Sequence, residues 1–191
     1  MFEQFKNKLL LDDEKKKKYA GYFKRIEVAG KTILLKEGDI SKKIFWIEKG
    51  CIRVWFNNEG EDISFQFFFE DSAVASIESF RKNIASPITI ETIEPCILWY
   101  ISKNDFDKII NEISEIPALR NIFIEAVFER TFDYMKHCLS YIKDKPEQRY
   151  LELLKDKPQI VQRIPQHHIA SYLGITKVHL SRIKGKLAKK K

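Results

Sequence analysis

The sequence predicts an α+β protein that contains, in order, an all-β domain, a long helix and two short C-terminal helices. Three observations support this prediction. Short segments rich in β-branched and aromatic residues fill residues 26–101, apolar residues recur at helical spacing across 117–143, and two amphipathic segments flank a glycine turn near residue 174. We place the domain bounds at 1–116, 117–143 and 144–191, in a chain of 191 residues that is long enough for two modest cores.

Charge is distributed unevenly along the chain. The net charge is +7, yet residues 143–191 carry thirteen lysines and arginines against four aspartates and glutamates. The first 142 residues carry 21 basic against 23 acidic residues. The basic character therefore belongs to the C-terminal part, as expected if only that part contacts phosphates.

Cysteine usage and hydropathy predict a cytoplasmic protein. Cys51, Cys96 and Cys138 do not have the spacing of a zinc or iron–sulfur site, so we expect buried thiols in a reducing compartment. The N-terminus lacks the apolar core of a signal peptide, and no apolar run approaches the eighteen or so residues that span a bilayer. We expect no cofactor, no metal ion and no membrane association.

The N-terminal residues 1–25 are predicted to be helical, because their apolar residues recur at helical spacing. The lysine run from Lys15 to Lys18 is either a phosphate-binding patch or a solvated helix face. Acidic residues beside the run cancel most of its field, which favours the solvated face.

Residues 26–101 predict an all-β barrel or sandwich. The candidate strands are 32–35, 44–47, 52–56, 63–67, 88–93 and 97–101. Glycines at 30, 38, 50 and 60 separate several of them, which is typical of such folds. The interval 71–86 is less regular and has room for a short helix. Ser102 is then a plausible N-cap of a helical region, with Asp105 favourable in its first turn.

A long helix is predicted from Pro117 to about Lys143. One apolar stripe within it has separations of four and three residues: Ile124, Phe128, Thr131, Met135, Cys138 and Ile142. This 3.5-residue mean spacing indicates lengthwise packing on another helix, so we expect a homodimer. A second stripe, Phe123, Val127, Tyr134 and Tyr141, would face the β domain. Alternatively, both stripes only bury the helix on its own β domain.

The two C-terminal segments have the pattern of a helix-turn-helix. Five apolar residues would share a small core: Ile169, Leu173, Ile175, Leu180 and Ile183. Pro165 suits the first turn of the first helix, Gly174 suits the backbone turn, and Thr176 can cap the second helix, 176–187. A hinge at Lys143 to Pro146 and a helix at 147–155 would precede this pair.

Charge distinguishes a DNA-binding helix pair from any other helical hairpin with a glycine turn. Seven basic residues and no acidic residue lie between Lys177 and Lys191, whereas a solvated helix face normally mixes signs. The second helix would enter the DNA major groove. The candidate DNA contacts are Gln166, Thr176, Lys177, Val178, His179, Ser181, Arg182, Lys184 and Lys186.

In this order the parts resemble the Crp/Fnr family of bacterial transcription regulators over nearly the whole chain. The motifs that carry the resemblance are GKTILLKEGD at 30–39, IFWIEKG at 44–50, IASYLGIT at 169–176 and LSR at 180–182. The resemblance implies an N-terminal double-stranded β-helix, or β-roll, that senses a small molecule. It also implies double-stranded DNA as a partner, with RNA polymerase as a further candidate.

The chain departs from the family at the positions that bind cyclic nucleotides. Members that bind them carry a Gly-Glu-Leu stretch for the ribose and an Arg-Ser pair for the phosphate, and here the pair falls at Ser86 and Pro87. A phosphate without a bidentate guanidinium loses its strongest contact, so we expect no cyclic AMP in the usual mode. Ser72, Ser86, Pro87 and Thr89 mark the candidate pocket of an unknown effector.

The chain also lacks the features of two other sensor types of the family. No cysteine precedes Cys51, which excludes an N-terminal iron–sulfur cluster. His137 resembles the haem ligand of some carbon monoxide sensors, but we expect a polar residue that flanks the helix seam.

The second helix of the pair departs from the family as well. Many members read a C·G pair with a glutamate where this chain has Val178 or His179; Val178 could instead touch a thymine methyl. Arg182 suits a guanine or phosphate contact, and Lys177 suits a phosphate. Many members continue into a β-hairpin wing, whereas nine residues follow Arg182 here, and we expect their lysines to replace part of its contacts.

We therefore expect a homodimeric, sequence-specific transcription regulator. The alternative is a ligand-binding module whose helical head is a structural or protein-docking element. An enzyme is not expected, because the sequence has no G-x-S-x-G, no phosphate loop and no H-E-x-x-H motif. His167 and His168 have no cysteine or carboxylate partner nearby in the sequence that would indicate a metal site.

Overall fold

The structure is a computed structural model that describes residues 13–189. Its helices are α1 (Asp13–Ala20), α2 (Ile77–Lys82), α3 (Lys103–Ser114), α4 (Pro117–Lys143), α5 (Pro146–Asp156), α6 (Pro158–Arg163), α7 (Gln166–Tyr172) and α8 (Lys177–Ala188). Its strands are β1 (Lys24–Val28), β2 (Ile33–Leu35), β3 (Lys43–Lys49), β4 (Ile52–Asn58), β5 (Glu61–Phe68), β6 (Ala73–Val74), β7 (Thr89–Thr92) and β8 (Cys96–Ser102).

The strands form a β-sandwich of two four-stranded sheets, with strand orders β1-β8-β3-β6 and β2-β7-β4-β5. Strands β1 and β3 both pair antiparallel with β8, so that Ile26 lies opposite Leu98 and Phe45 lies opposite Tyr100. All six strands predicted from the sequence are present. The α+β class with an N-terminal β domain is therefore confirmed.

Strand β1 was not predicted, because the N-terminal helix was expected to continue to residue 25. Helix α1 ends at Ala20, and the amide of Gly21 donates to the carbonyls of Lys17 and Lys18. All five residues of β1 then pair with β8. Tertiary pairing thus ends the helix early, and the predicted helical residues 1–12 lie outside the described part of the chain.

Two compact units can be distinguished by internal contacts. The first unit comprises Met1–Val54 and Phe68–Glu129, and the second comprises Trp55–Phe67 and Arg130–Lys191. The predicted domain bounds fall at 116 and 143, at the ends of α4. The compact units divide α4 near its middle and place most of the β4–β5 hairpin with the C-terminal helices.

In the first unit, helices cover one face of a sheet through an apolar cluster. Its buried members come from α1, β3, α2, β8 and α3: Tyr19, Ile44, Phe80, Ile101 and Ile109. The predicted cap of α3 is present, because the Ser102 hydroxyl accepts from the amide of Asp105 and donates to its carboxylate. Hydrogen bonds from Lys108 and Ser102 lower the pKa of Asp105. The short helix expected within 71–86 is α2.

Other predictions about the first part of the chain have mixed outcomes. Lys15, Lys17 and Lys18 are exposed, and Lys18 forms an ion pair with Glu112, as expected for a solvated face.

Cys51 and Cys96 are buried, but Cys138 is exposed on α4, so the expectation of a buried thiol is wrong there. None of the helices within 13–189 is both long and apolar enough to cross a membrane.

Candidate nucleic-acid interface

Helices α7 and α8 form a pair with a small shared core. Of the five predicted core residues, Ile175 is half-buried. The other four are buried: Ile169, Leu173, Leu180 and Ile183. Ala170 is also buried, which suits the close crossing of two helices. The buried residues of α8 recur on one side, so the opposite side of that helix faces outward.

The turn and the cap of this pair agree with the sequence. Gly174 has φ +65°, a left-handed conformation that favours glycine, and an added Cβ would lie 3.1 Å from the Tyr141 ring. The Thr176 hydroxyl accepts a 3.2 Å hydrogen bond from the amide of His179 at the start of α8. Pro165 precedes α7 as its N-cap residue, so its expected place in the first turn is wrong by one position.

The outward side of α8 carries most of the candidate DNA contacts. Its exposed members are Lys177, Val178, His179, Ser181, Arg182 and Lys186, while Lys184 is half-buried. Thr176, just before the helix, is exposed, as is Gln166 at the start of α7. Lys186 differs from the others, because its ammonium forms a 2.6 Å ion pair with Glu147 of α5. The structure therefore turns Lys186 toward the rest of the head.

A cluster of aromatic and cationic side chains supports the turn of this helix pair. The Tyr141 hydroxyl donates to the carbonyl of Tyr172, and Arg149 donates to the carbonyl of Leu173 at 2.8 Å. Arg149 also donates to the carbonyl of Asp144, between α4 and α5, at 2.7 Å. The predicted hinge is thus a break between α4 and α5. Arg149 links this break to the turn between α7 and α8 through its two hydrogen bonds.

His137 lies within this cluster and contradicts the expectation of a polar residue flanking the helix seam. Its ring stacks on Tyr172 and meets Tyr141 edge to face. Burial, with the nearby charges of Lys157 and Arg149, lowers the pKa of His137 to about 4. Burial likewise raises the pKa of Tyr141 to about 12. Both side chains are therefore neutral near pH 7.

The β4–β5 hairpin contacts the same cluster from the other side. The amide of Ser64 donates to the Ser171 hydroxyl at 2.9 Å, and that hydroxyl donates to the carbonyl of Asp62 at 3.1 Å. Phe65 stacks on Tyr134, with ring centroids 5.8 Å apart. Of the second apolar stripe predicted on α4, Tyr134 meets strand β5 and Tyr141 contacts the head, while Phe123 and Val127 are exposed.

A cleft of about 390 Å³ opens beside these side chains in the second unit. Its walls come from the end of α4, from α5 and from the turn after α7. Lys136 and Asp156 form a 3.1 Å ion pair at its edge. The cleft marks where the long helix, its successor and the helix pair converge.

The other side of α4 is an exposed apolar surface. All six residues of the predicted dimerisation stripe are exposed: Ile124, Phe128, Thr131, Met135, Cys138 and Ile142. Ile142 is the most exposed of the apolar ones, at 82%. Phe132 and Leu139 extend this surface and are more than half exposed, although the 3.5-residue pattern omitted them. Each lies one residue after a member of the stripe, which the sequence could have indicated.

The candidate effector-pocket residues fall into two groups. The amide of Ser86 donates to the carbonyl of Asp39, and the Thr89 hydroxyl accepts from the amide of Glu37, so both bond the same loop. The Ser86 hydroxyl donates to the carbonyl of Ile88, and Pro87 is exposed. Ser72 bonds instead with Ile47 on β3 through their backbones. Both buried hydroxyls therefore already have partners within the chain.

A buried arginine was missed at the sequence level. Arg53, on β4, is 1% exposed, and its guanidinium lies 3.8 Å from the Glu91 carboxylate on β7. Strand alternation gives no sign of this burial, because Arg53 lies between two apolar residues as a surface residue would. Its charge faces a carboxylate of the same domain.

Comparison with known families agrees with this architecture. Residues 25–112 match the cyclic nucleotide-binding domain family. No relative was found among curated proteins.

Solved structures share the fold over nearly the whole chain, at low sequence identity. The c-di-GMP-responsive global regulator CLP of Xanthomonas campestris is 15% identical, with a TM-score of 0.73, over 94% of this chain and 93% of its own. FixK2 of Bradyrhizobium japonicum is 12% identical, with a TM-score of 0.74, over 88% and 85%. A transcriptional regulator assigned to the crp/fnr family from Eubacterium rectale is 19% identical, with a TM-score of 0.71, over 96% and 88%.

These matches cover the β domain by sequence and 88–96% of the chain by structure. They confirm the resemblance that the motifs at 30–50 and 169–182 indicated. Residues 25–112 thus match a cyclic nucleotide-binding domain by sequence, and the chain shares its fold with solved regulators of the Crp/Fnr type.

Proposed function

We propose that the chain is a homodimeric transcription regulator of the Crp/Fnr type, in which α7 and α8 form a helix-turn-helix and α8 reads DNA. The observation that carries this proposal is the outward side of α8. It presents Lys177, Arg182 and Lys189 around Val178 and Ser181, and no acidic residue occurs from Lys177 onward. Such a one-signed helix face is typical of contact with a polyanion.

The positions along α8 suggest different tasks. Residues near the start of a recognition helix contact base edges, and Val178 there offers an apolar surface to a thymine methyl. Arg182, one turn later, can donate two hydrogen bonds to a guanine. Lys177, Lys184 and Lys189 would contact phosphates, which fix the orientation of the helix but carry no sequence information. Lys186 would contribute less, because Glu147 already neutralises it.

Dimerisation is proposed through the exposed apolar side of α4. Large exposed apolar surfaces on a soluble domain mark interaction sites, and the helical spacing of this one fits a second copy of the same helix. A two-fold axis along α4 would present two copies of α8. The half-sites in DNA would then lie one helical turn, about 34 Å, apart.

Control by a small molecule is proposed through the β domain, with Ser72, Ser86, Pro87 and Thr89 as candidate contacts. The hydroxyls of Ser86 and Thr89 already have hydrogen-bond partners within the chain, which disfavours the usual binding of a cyclic mononucleotide. CLP responds to c-di-GMP, so other anionic effectors are natural first candidates. An effector that alters DNA affinity must itself bind more tightly, or less tightly, when DNA is present.

A fluorescence anisotropy titration tests the proposal. The purified chain is titrated against DNA from upstream of its own gene and against the same DNA shuffled, at several salt concentrations. A preference for the native fragment, with log Kd depending linearly on log salt, is expected. A head that serves only for structure or protein docking would give weak binding to both fragments, and that result would refute the proposal if added metabolites did not change it.

A further inference from the structure

Gly185 is an unusual residue for its position in α8. It lies inside the helix, four residues before the C-cap Lys189, and it is exposed. Among ordinary residues, glycine and proline are the two that least favour a helix interior. The chain thus carries a destabilising residue in the helix that is proposed to read DNA.

None of the usual structural reasons for a glycine applies at this position. The backbone is helical, and Gly185 is not among the glycines with positive φ. It does not cap the helix, since Lys189 occupies the C-cap. Within the part of the chain that the structure describes, no atom other than the adjacent residues and the backbone of α8 itself lies within 4 Å of the place where a Cβ would be. The fold itself would accept a side chain there.

The position of Gly185 suggests what excludes a side chain. It follows Val178 by two helical turns and follows Ser181 and Arg182 by one, on the side of α8 opposite the buried Leu180 and Ile183. Side chains on a helix lean toward its N-terminus, so a residue at 185 would cover the surface beside Ser181 and Arg182. With glycine, this surface is bare backbone.

Positive charges border this bare surface. Arg182 precedes Gly185 by one turn, and Lys189 follows it by one turn and leans back toward it. The remaining neighbours on the outward side, Ser181 and Ala188, are small. A compact anion could therefore approach the helix backbone here between two cations.

We infer that a DNA phosphate contacts the backbone of α8 at Gly185, with Arg182 and Lys189 on either side. At this point α8 would approach the DNA backbone most closely. Glycine commonly occupies positions where a chain must pass close to a ligand. This inference rests on the proposed function, and it adds a positioning residue that carries no charge and makes no hydrogen bond through a side chain.

Substitution of Gly185 separates folding from DNA binding, because the two effects have opposite signs. Gly185→Ala should raise the Tm by about 2–4 °C, since alanine favours the helix and meets no neighbour. The same variant should bind native DNA about fivefold to a hundredfold more weakly, because a methyl group enters a close contact. Gly185→Leu should weaken binding further. In both variants the slope of log Kd against log salt should decrease by about the amount that one phosphate contact contributes.

Gln148→Ala is the matched control. Gln148 is exposed on α5, outside the candidate contacts, and its replacement also raises helix propensity without changing charge. It should leave the DNA affinity and salt dependence unchanged. Equal affinities of Gly185→Ala and wild type, with the Tm raised, would overturn the inference alone. A wild-type chain that binds no DNA at any salt or effector condition would overturn the proposed function, and with it the inference.

Discussion

The hydroxyl of Tyr172 lies 3.1 Å from Nδ1 of His137, and the two rings stack with centroids 4.6 Å apart at 17°. Burial raises the pKa of Tyr172 well above its usual value, so the phenol keeps its proton near pH 7, and the imidazole tautomer decides which partner donates. His137 can accept that bond only while Nδ1 is unprotonated. Burial lowers the pKa of His137 to about 4, so this contact between α4 and the helix pair joins two neutral side chains near pH 7.

The first prediction concerns pH. The folded-state pKa of His137, about 4, lies below the ordinary value of 6.5, so the unfolded chain binds the extra proton first as pH falls. Stability should be fully present above pH 6.5 and should decrease between pH 6.5 and 4. Allowing for partial exposure of the ring, the loss should be about 1–2 kcal/mol. Urea unfolding at a series of pH values measures it.

The variant His137→Gln is informative because glutamine does not titrate. Its stability should vary less with pH than that of the wild type over the same interval. His179→Gln, at an exposed position on α8, provides the control and should retain the wild-type pH profile. If His137→Gln and wild type lost stability in parallel, other groups would account for the effect.

The second prediction concerns the cap of α8. Thr176→Ala removes the hydroxyl that accepts from the amide of His179 and should destabilise the chain by about 1 kcal/mol. Thr176→Ser keeps a hydroxyl and should remain close to wild type. Thermal unfolding of the three proteins checks the order. An alanine variant as stable as the serine variant would mean that solvent satisfies this amide equally well.

The third prediction concerns the apolar side of α4. Replacing Leu139 by aspartate places a charge in the proposed dimer interface and should shift the protein toward monomer. Leu139 is 55% exposed, so the fold of the monomer should be little affected. Sedimentation equilibrium measures the association, and circular dichroism checks the fold. Glu129→Gln, on the same helix, should dimerise as the wild type does.

The fourth prediction separates base reading from phosphate contact. Arg182→Ala should weaken binding to native DNA by about 1–3 kcal/mol, and it should reduce the ratio of the affinities for native and shuffled DNA. Removal of Lys189 to Lys191 should weaken binding to every sequence alike and reduce the salt dependence. Competition titrations with both DNAs compare the two variants. The same sequence-independent loss in both would assign Arg182 to a phosphate instead of a base.

Local sequence signals predicted the strands, the cap at Thr176 and the turn at Gly174, because each depends on residues within a few positions. Strand β1 could not be predicted in this way, since its pairing with β8 overrides the helical pattern of the preceding residues. The burial of Arg53 likewise depends on Glu91, which lies on another strand. Such features arise from contacts between distant segments.

The candidate site shows the same division. The outward face of α8 follows from helical spacing, and Lys177, Val178, Ser181 and Arg182 are exposed there. Lys186 is exposed as well, but helical spacing could not predict its ion pair with Glu147, which lies 39 residues away in the sequence. The aromatic cluster around His137 was missed because Phe65, Tyr134 and Tyr172 come from three separate elements. Periodicity within one helix does not indicate which neighbour covers it.

The hydrogen bonds between Ser171 and the β4–β5 hairpin span more than 100 residues of sequence. During synthesis on the ribosome, the hairpin emerges long before the helices that it contacts. Contacts of such sequence separation form late and slow the folding of a domain. The C-terminal helices made as an isolated fragment would also lack the hairpin, so we expect them to be less protected from proteolysis than in the complete chain.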